Sequence, residues 1–345
     1  IPSKSLREQA LRRAAAAQLG SALRQPPQRL ELTDVPLADL LANVGDTVAA
    51  HNRYMSAQLE RNGIQLLRGR ARFLDSRHIE LQRVDDSRQR LTAPRIIICA
   101  GSRPRTPEEL PVDHEHVLDS DSLLSLARIP RSLLVLGSGV IACEYASTFA
   151  SLGCRVIQAD RTARPLMFMD GELVEYYLQH LNSQGCEYWP ETRIRSVRFD
   201  PARAQVRSEF ADGRVAETDK VVVAMGRIAN VGQLDPAAAG VMLTPAGHVA
   251  VDENLQTTAA GIYAAGDVIG PPTLASSAME QGRRAACYAL DIPLLSEALI
   301  ATLLPSGIYT IPEMSTVGLD EATARVSWKP ARWFVLPQLA LALAA

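Results

Sequence analysis

The sequence predicts an α/β fold, and three observations lead to that class. Strand-like stretches, the apolar run Leu133 to Leu136, the short Arg155 to Ala159 and the buried Lys220 to Ala224, alternate with helical spacing through the middle of the chain. The first run ends in Gly137-Ser138-Gly139-Val140-Ile141-Ala142, a Gly-x-Gly-x-x-Ala turn that opens a helical pattern. An acid, Asp160, closes the next strand at about the 20-residue distance that such units keep between first glycine and acid.

The Gly137 turn names a ligand class. It brings backbone N–H groups and a helix N-terminus to one point, where a pyrophosphate is favoured. Gly137 permits the tight turn, Gly139 lets backbone approach the phosphates, and Ala142 is small enough for close helix-on-strand packing. In a Rossmann unit Asp160 would accept hydrogen bonds from the adenosine ribose of NAD; as an ordinary strand-end turn residue it needs no such role.

The remaining elements follow in order. Residues 5–25 and 35–62 have helical spacing, parted by the loop signal Gln25-Pro26-Pro27-Gln28. Ile64 to Leu81 reads as short strands around Gly69, and Arg95 to Ala100 as a buried strand ending at Gly101. Asp119 to Leu126 reads as a short helix with Asp119, Ser120 and Asp121 as N-cap candidates. Beyond the Gly137 turn come a helix from Ala142 to Leu152, a turn at Gly153 and a helix from Glu172 to Gly185. Arg193 to Phe199 and Gln205 to Phe210 read as meander strands. A second constellation follows: a strand from Gly261 to Ala265, Gly266, the carboxylate of Asp267 placed to accept from hydroxyls, and a helix starting near Leu274 beside Ser276 and Ser277. Alone, it is equally a strand, a turn and a helix with an acidic cap.

Composition limits the setting. With 345 residues, 47% of them hydrophobic, the chain can bury two or more cores. A net charge of −2 offers no basic field, so nucleic acid is not an expected partner. The five cysteines are scattered without Cys-x-x-Cys spacing, which suits buried thiols in a reducing cytoplasm rather than disulfides or zinc; the six histidines show no metal-ligand spacing either. No signal peptide or membrane-length apolar run is visible, so a cytoplasmic protein without a membrane partner is expected. The chain starts without Met, as though cut from something longer. It ends in an apolar stretch, Trp333 to Ala345, too short to span a bilayer.

Six segments in this order resemble the pyridine nucleotide-disulfide oxidoreductases, the flavoproteins that include dihydrolipoamide dehydrogenase. They are Ile1-Pro2-Ser3-Lys4, Cys99-Ala100-Gly101-Ser102-Arg103-Pro104, Gly137 to Glu144, Gly226-Arg227, Tyr263-Ala264-Ala265-Gly266-Asp267 and Tyr309-Thr310-Ile311-Pro312-Glu313. The resemblance spans residues 1 to about 325. Within the family, Cys143 to Ser147 and Gly307 to Glu313 look most like the soluble transhydrogenases, which pass hydride from NADPH to NAD+ through FAD.

The resemblance implies an architecture and a set of roles. A Rossmann-like NAD(P)-binding domain, 127–248, would be inserted in an FAD-binding domain of mixed α/β and β-meander structure formed by 1–126 and 249–300; 301–345 would begin an interface domain. Lys4 and Glu144 would form a charge pair beside the flavin; otherwise they are an exposed lysine and a helix acid. Ala100, Gly101 and Ser102 would line the FAD site, Ala71 would touch its adenosine half, and Asp267 would hold the ribityl chain. Thr273, Leu274, Ala275 and Ser276 would close over the flavin. The nicotinamide cofactor would meet Gly137, Ser138, Gly139, Val140, Ile141, Ala142, Cys143, Glu144, Asp160, Ile194 and Gly226. Arg161 and Arg164 would reach a 2′-phosphate, letting one site accept NAD and NADP, or be plain surface arginines.

Two departures from the family pattern accompany these roles. The family's first βαβ unit, with its own Gly-rich loop for the FAD pyrophosphate, has no counterpart here, so this stretch of chain is expected to be an incomplete FAD-binding domain with weak or no FAD retention. The match fades near Val326, and the tail from Trp328 to Ala345 is unlike the family's dimer-forming domain, as after a frameshift or early stop. Full activity and the family's homo-oligomeric state are therefore expected to need the missing ends. The alternatives are a disulfide reductase, whose cysteine pair would lie just ahead of Ile1, and a degraded nucleotide-binding fragment without flavin chemistry.

Overall fold

A computed structural model describes residues 2–22, 36–42, 44–294, 305–321, 323 and 326. The expected loop at Gln25 to Gln28 and the tail from Trp328 to Ala345 lie outside the described residues.

A five-stranded parallel sheet organises the middle of the chain. Its order is Val117–Asp119, Lys220–Val223, Ser132–Leu136, Arg155–Ala159, Glu187–Trp189. The central strand Ser132–Leu136 is buried at all of its positions. That is why its sequence is a continuous apolar run: a parallel strand is covered on both faces and has no reason to alternate. Helix Val140–Ser151 covers one face, and every residue from Ala142 to Ala150 is buried. Helix Gly171–Ser183 packs beside it through Val174, Tyr177 and Leu181, spaced as one apolar stripe, and Asp170 caps it by accepting from Glu172 N at 3.0 Å.

The other face is closed by the antiparallel meander Ile194–Asp200, Gln205–Phe210, Val215–Thr218. Its Val197, Val206, Phe210 and Ala216 meet Leu134, Leu136, Val221 and Val223 of the sheet. Helix Pro2–Ala22 joins the helical side, where Leu6 and Ala10 are fully buried with Leu37, Leu40 and Phe149.

A second body packs around Phe73, Ile96, Ile98, Val249, Ile262 and Ala264. It contains the meander Arg70–Phe73, His78–Gln82, Arg88–Thr92 and the parallel pair Ile96–Ile98 with Ile262–Ala264. The pair Ser102–Pro104 with Arg227–Ala229 ties the chain leaving the large sheet back to this body.

Three expectations are corrected. The stretch 35–62 divides into helices Leu37–Leu41 and Val44–Arg61, with a turn at Ala42. Ile64 to Arg68 is not strand: pairing begins only at Arg70, opposite Gln82, and Ile64 and Leu66 stay exposed without a partner strand. Asp119 to Leu126 is not a helix from Asp119. Asp119 ends the edge strand, and its carboxylate accepts from Asp121 N at 3.0 Å and Ser122 N at 2.7 Å, which tightens the chain into a single 3-10 turn, Ser122–Ser125.

Phe149 is fully buried between helix and sheet; Phe149→Ala is expected to cost about 3–5 kcal/mol in urea unfolding. Asp113 governs the loop before the edge strand. Partial burial opposes its ionisation, but the N–H groups of Glu115, Val117 and His116, all donating to Oδ1, outweigh it and hold the carboxyl at about 2 against an ordinary 3.8. A depressed folded-state pKa gives stability that is complete above the unfolded value and fades as pH falls through the folded one. The difference in unfolding free energy between wild type and Asp113→Asn should therefore be flat above pH 3.8 and shrink toward pH 2.

Candidate functional site

The two glycines of the Gly137 turn do different work. Gly137 has φ +127°, and a Cβ there would lie 2.4 Å from the carbonyl oxygen of Ala224, so close approach to the neighbouring strand excludes any side chain. Gly139 faces open space, where a Cβ would meet nothing within 4 Å. Backbone is thus presented to the cleft at Gly139 while Gly137 locks the turn to the sheet. Ala142 is fully buried behind them, and Val140 and Ile141 are half-buried along the cleft. Ser138 shares a 2.9 Å hydrogen bond between its hydroxyl and that of Thr162. Cys143 turns into the core; burial, the dominant influence, pushes its thiol up to about 12, so it supplies no thiolate at neutral pH.

At the next position Glu144 is 8% exposed, and its charge is satisfied from two distant parts of the chain. Lys4 donates to Oε2 in an ion pair, and Tyr309 N donates to Oε1 at 3.0 Å. The Lys4 ammonium also lies 4.6 Å from the centre of the Tyr309 ring. Around this point Arg7 Nε donates to Thr310 O at 3.1 Å, and Ile311 N donates to Ser147 Oγ at 3.0 Å. The first helix, the glycine-turn helix and the 306–316 hairpin are therefore joined at one buried carboxylate.

Asp267 lies in a 3-10 turn after strand Ile262–Ala264. Its Oδ2 accepts from Ser102 Oγ at 2.6 Å, and Arg227 donates from Nε to the same hydroxyl at 2.7 Å and from Nη2 to Ser102 O at 2.7 Å. Arg227 Nε is 3.8 Å from Asp267, so the carboxylate has a cation beside it. Helix Ala275–Ala289 begins directly behind, with Leu274 as its N-cap residue.

The glycine turn and the Asp267 turn border one cavity of about 870 Å³, while Lys4, Glu144 and Tyr309 lie outside its lining, which the neighbouring Ser306 and Ile308 of the hairpin reach. Gly139, Val140, Ile141 and Gly226 line it from the large sheet, and Ser102, Asp267, Thr273 and Leu274 from the second body. Other expected residues stand apart from it. Ala71 borders a separate polar pocket of about 590 Å³ with Arg70, Arg72 and Asp235. Asp160 ends its strand, with Oδ1 accepting from Arg161 N, and neither it nor Ile194 lines the cavity; Ile194 packs at the edge of the meander core. Ala100 and Gly101 sit behind Ser102, their carbonyls accepting from Asn230 Nδ2 and Asn230 N at 3.0 Å each. Ala275 and Ser276 are exposed at the helix start. Arg161 is exposed, and Arg164 donates to Met167 O at 3.3 Å.

Sequence reasoning did not assign three contributors. Arg227 was visible only as half of a Gly-Arg motif, Tyr309 only as part of a motif, and His248, which lines the cavity, carried no signal.

A Gly-x-Gly-x-x-Ala turn and the Asp267 turn thus face one cleft between two bodies, the arrangement of a two-body α/β oxidoreductase. Residues 1–282 match the pyridine nucleotide-disulphide oxidoreductase family. Soluble pyridine nucleotide transhydrogenases from Colwellia psychrerythraea and Mycobacterium bovis are 35% and 37% identical to this chain, each over 93% of it and 67% of its own length. The crystal structure of LpdA from Mycobacterium tuberculosis superposes with TM-score 0.85 at 26% identity, covering 94% of this chain and 70% of that one. The flavoprotein disulfide reductase RclA from Escherichia coli shares the fold, with TM-score 0.78 at 23% identity over 95% of this chain and 69% of its own. The chain belongs to the pyridine nucleotide-disulphide oxidoreductase family, whose members use flavin and pyridine nucleotides. No helix among the described residues is long and apolar enough to cross a membrane.

The asymmetry of the glycines has a measurable consequence. Gly137→Ala should lose about 2–4 kcal/mol of stability through backbone strain and the clash with Ala224 O. Gly139→Ala, facing open space, should stay within about 1 kcal/mol of wild type in the same urea titration.

Proposed function

We propose that this chain is the larger part of a pyridine nucleotide transhydrogenase, as its relatives are named, that passes hydride from NADPH to NAD+ through bound FAD, with full activity needing the ends beyond this stretch of chain. The observation that carries the reading is the shared cavity: an exposed-backbone glycine turn opens on one side of the same space that Asp267, Thr273 and Leu274 border on the other. The residues present fit the nicotinamide dinucleotide and the ribityl-flavin end of FAD. Gly139 offers backbone with no side chain in the way, and Asp267 keeps a carboxylate at the cavity wall beside Ser102 and Arg227.

In this reading 127–248 is the NAD(P)-binding part, 1–126 and 249–300 the FAD-binding part, and 301–345 the start of an interface part. Bound flavin would supply the chemistry, taking hydride from one nicotinamide and returning it to the next. The chain's residues bind and orient. Gly137 to Ala142 hold the dinucleotide pyrophosphate at the helix N-terminus, Gly226 flanks the nicotinamide, and Asp160 and Ile194 serve the adenosine end. Asp267 accepts from ribityl hydroxyls, Ser102, Thr273 and Leu274 border the flavin with Ala100, Gly101, Ala275 and Ser276 as the backbone flanking them, and Ala71 meets its adenosine half. Glu144 fixes the Lys4 ammonium, and the Tyr309 ring restricts that ammonium further. Fixing a cation beside the reacting rings orients them and costs no reorganisation during transfer.

Turnover of NADPH with thionicotinamide-NAD+ in the presence of added FAD tests the proposal. Glu144→Gln, which keeps the side-chain shape but removes the charge holding Lys4, should lower kcat by about 10- to 100-fold. An unchanged kcat in a variant whose thermal unfolding matches wild type would remove the Lys4–Glu144 pair from the machinery.

A further inference from the structure

Behind the glycine turn lies a buried polar cluster that makes no contact with the cleft. Gln158, Tyr177 and Cys143 are all fully buried. Gln158 Nε2 donates to Gly137 O at 3.0 Å and to Cys143 Sγ at 3.3 Å, and its Oε1 accepts from Tyr177 OH at 2.8 Å. Tyr177 OH also lies 3.4 Å from Cys143 O. The next carbonyl, Ser138 O, accepts from Leu166 N at 2.8 Å and from Cys143 Sγ at 3.6 Å. Gln158 interrupts the buried apolar part of strand Arg155–Ala159, among Val156, Ile157 and Ala159, and a primary amide in such a core is costly unless its hydrogen bonds are made.

The consequence follows from peptide geometry. In a trans peptide the C=O and the following N–H point in opposite directions. Drawing Gly137 O inward to Gln158 aims Ser138 N–H away from the core, and holding Ser138 O with Leu166 N does the same for Gly139 N–H. Neither N–H has a backbone or side-chain acceptor among the described residues. We infer that Gln158, braced by Tyr177, is a positioning residue that aims the Ser138 and Gly139 amides at the dinucleotide pyrophosphate. The inference rests on the dinucleotide reading of the Gly137 turn and adds residues that never touch the ligand.

The test is binding of NADH and ADP-ribose to the full chain, with and without Gln158→Met, alongside backbone amide NMR. Wild type should bind both. Q158M should weaken both alike by about tenfold, the cost of freeing one buried carbonyl to reorient. Tyr177→Phe should weaken them less, and Q158M/Y177F should not be additive. ADP-ribose should shift the Ser138 and Gly139 amide resonances of wild type strongly, and Q158M should blunt those shifts. If Q158M binds ADP-ribose as wild type does while merely unfolding at a lower temperature, the cluster is structural and the inference is overturned. If Q158M does not fold, the wild-type spectrum decides, and unmoved Ser138 and Gly139 amides overturn it. Failure of wild type to bind either ligand would instead overturn the dinucleotide reading, and this inference with it.

Discussion

The arrangement depends on one buried carboxylate. Glu144 lies in the helix that the glycine turn opens, and a lone charge so far removed from water would be prohibitively costly. Its stability comes from Lys4, 140 positions earlier, and from the Tyr309 amide, 165 positions later. Because each partner is on a different segment, satisfying the charge also fixes how the first helix and the 306–316 hairpin sit against the large sheet. The pairing that makes the carboxylate tolerable also holds the Lys4 ammonium against the first turns of the helix that the glycine turn opens.

The cleft is built by the same economy. The parallel sheet is covered on both faces, and the turn at the end of its central strand is held to it through Gly137 against Ala224 and through the Gln158 cluster. Across the space, Arg227 leaves the large sheet and reaches into the second body, bonding Ser102, which in turn bonds Asp267. The walls are therefore coupled by short polar contacts as well as by the strand pair Ser102–Pro104 with Arg227–Ala229.

Much of this was legible in the sequence, for identifiable reasons. Buried parallel strands leave continuous apolar runs, so Ser132–Leu136 and Lys220–Val223 declared themselves, and the spacing of Gly137, Gly139 and Ala142 marked the turn between strand and helix. Three-residue strands such as Val117–Asp119 are too short to show a period, and the polar Ser102–Pro104 strand owes its existence to a partner far along the chain. The Lys4–Glu144 pair was reachable only through family resemblance, since no local pattern links residues so far apart. Tyr309 and Arg227 sat inside recognised motifs without a role, because a ring face under an ammonium or a guanidinium between two bodies is a property of the folded chain. An overlooked local signal was Gln158, an amide between the apolar residues Ile157 and Ala159 of a strand.

The central claim is that flavin and nicotinamide share the cavity between Gly139 and Asp267. An anaerobic titration of the FAD-loaded chain with NADPH, followed by NAD+, tests it most directly through the visible flavin absorbance. The expected result is bleaching by NADPH and recovery on adding NAD+. Tight binding of both FAD and NADPH with no bleaching would contradict it, since the two would then occupy sites that do not meet.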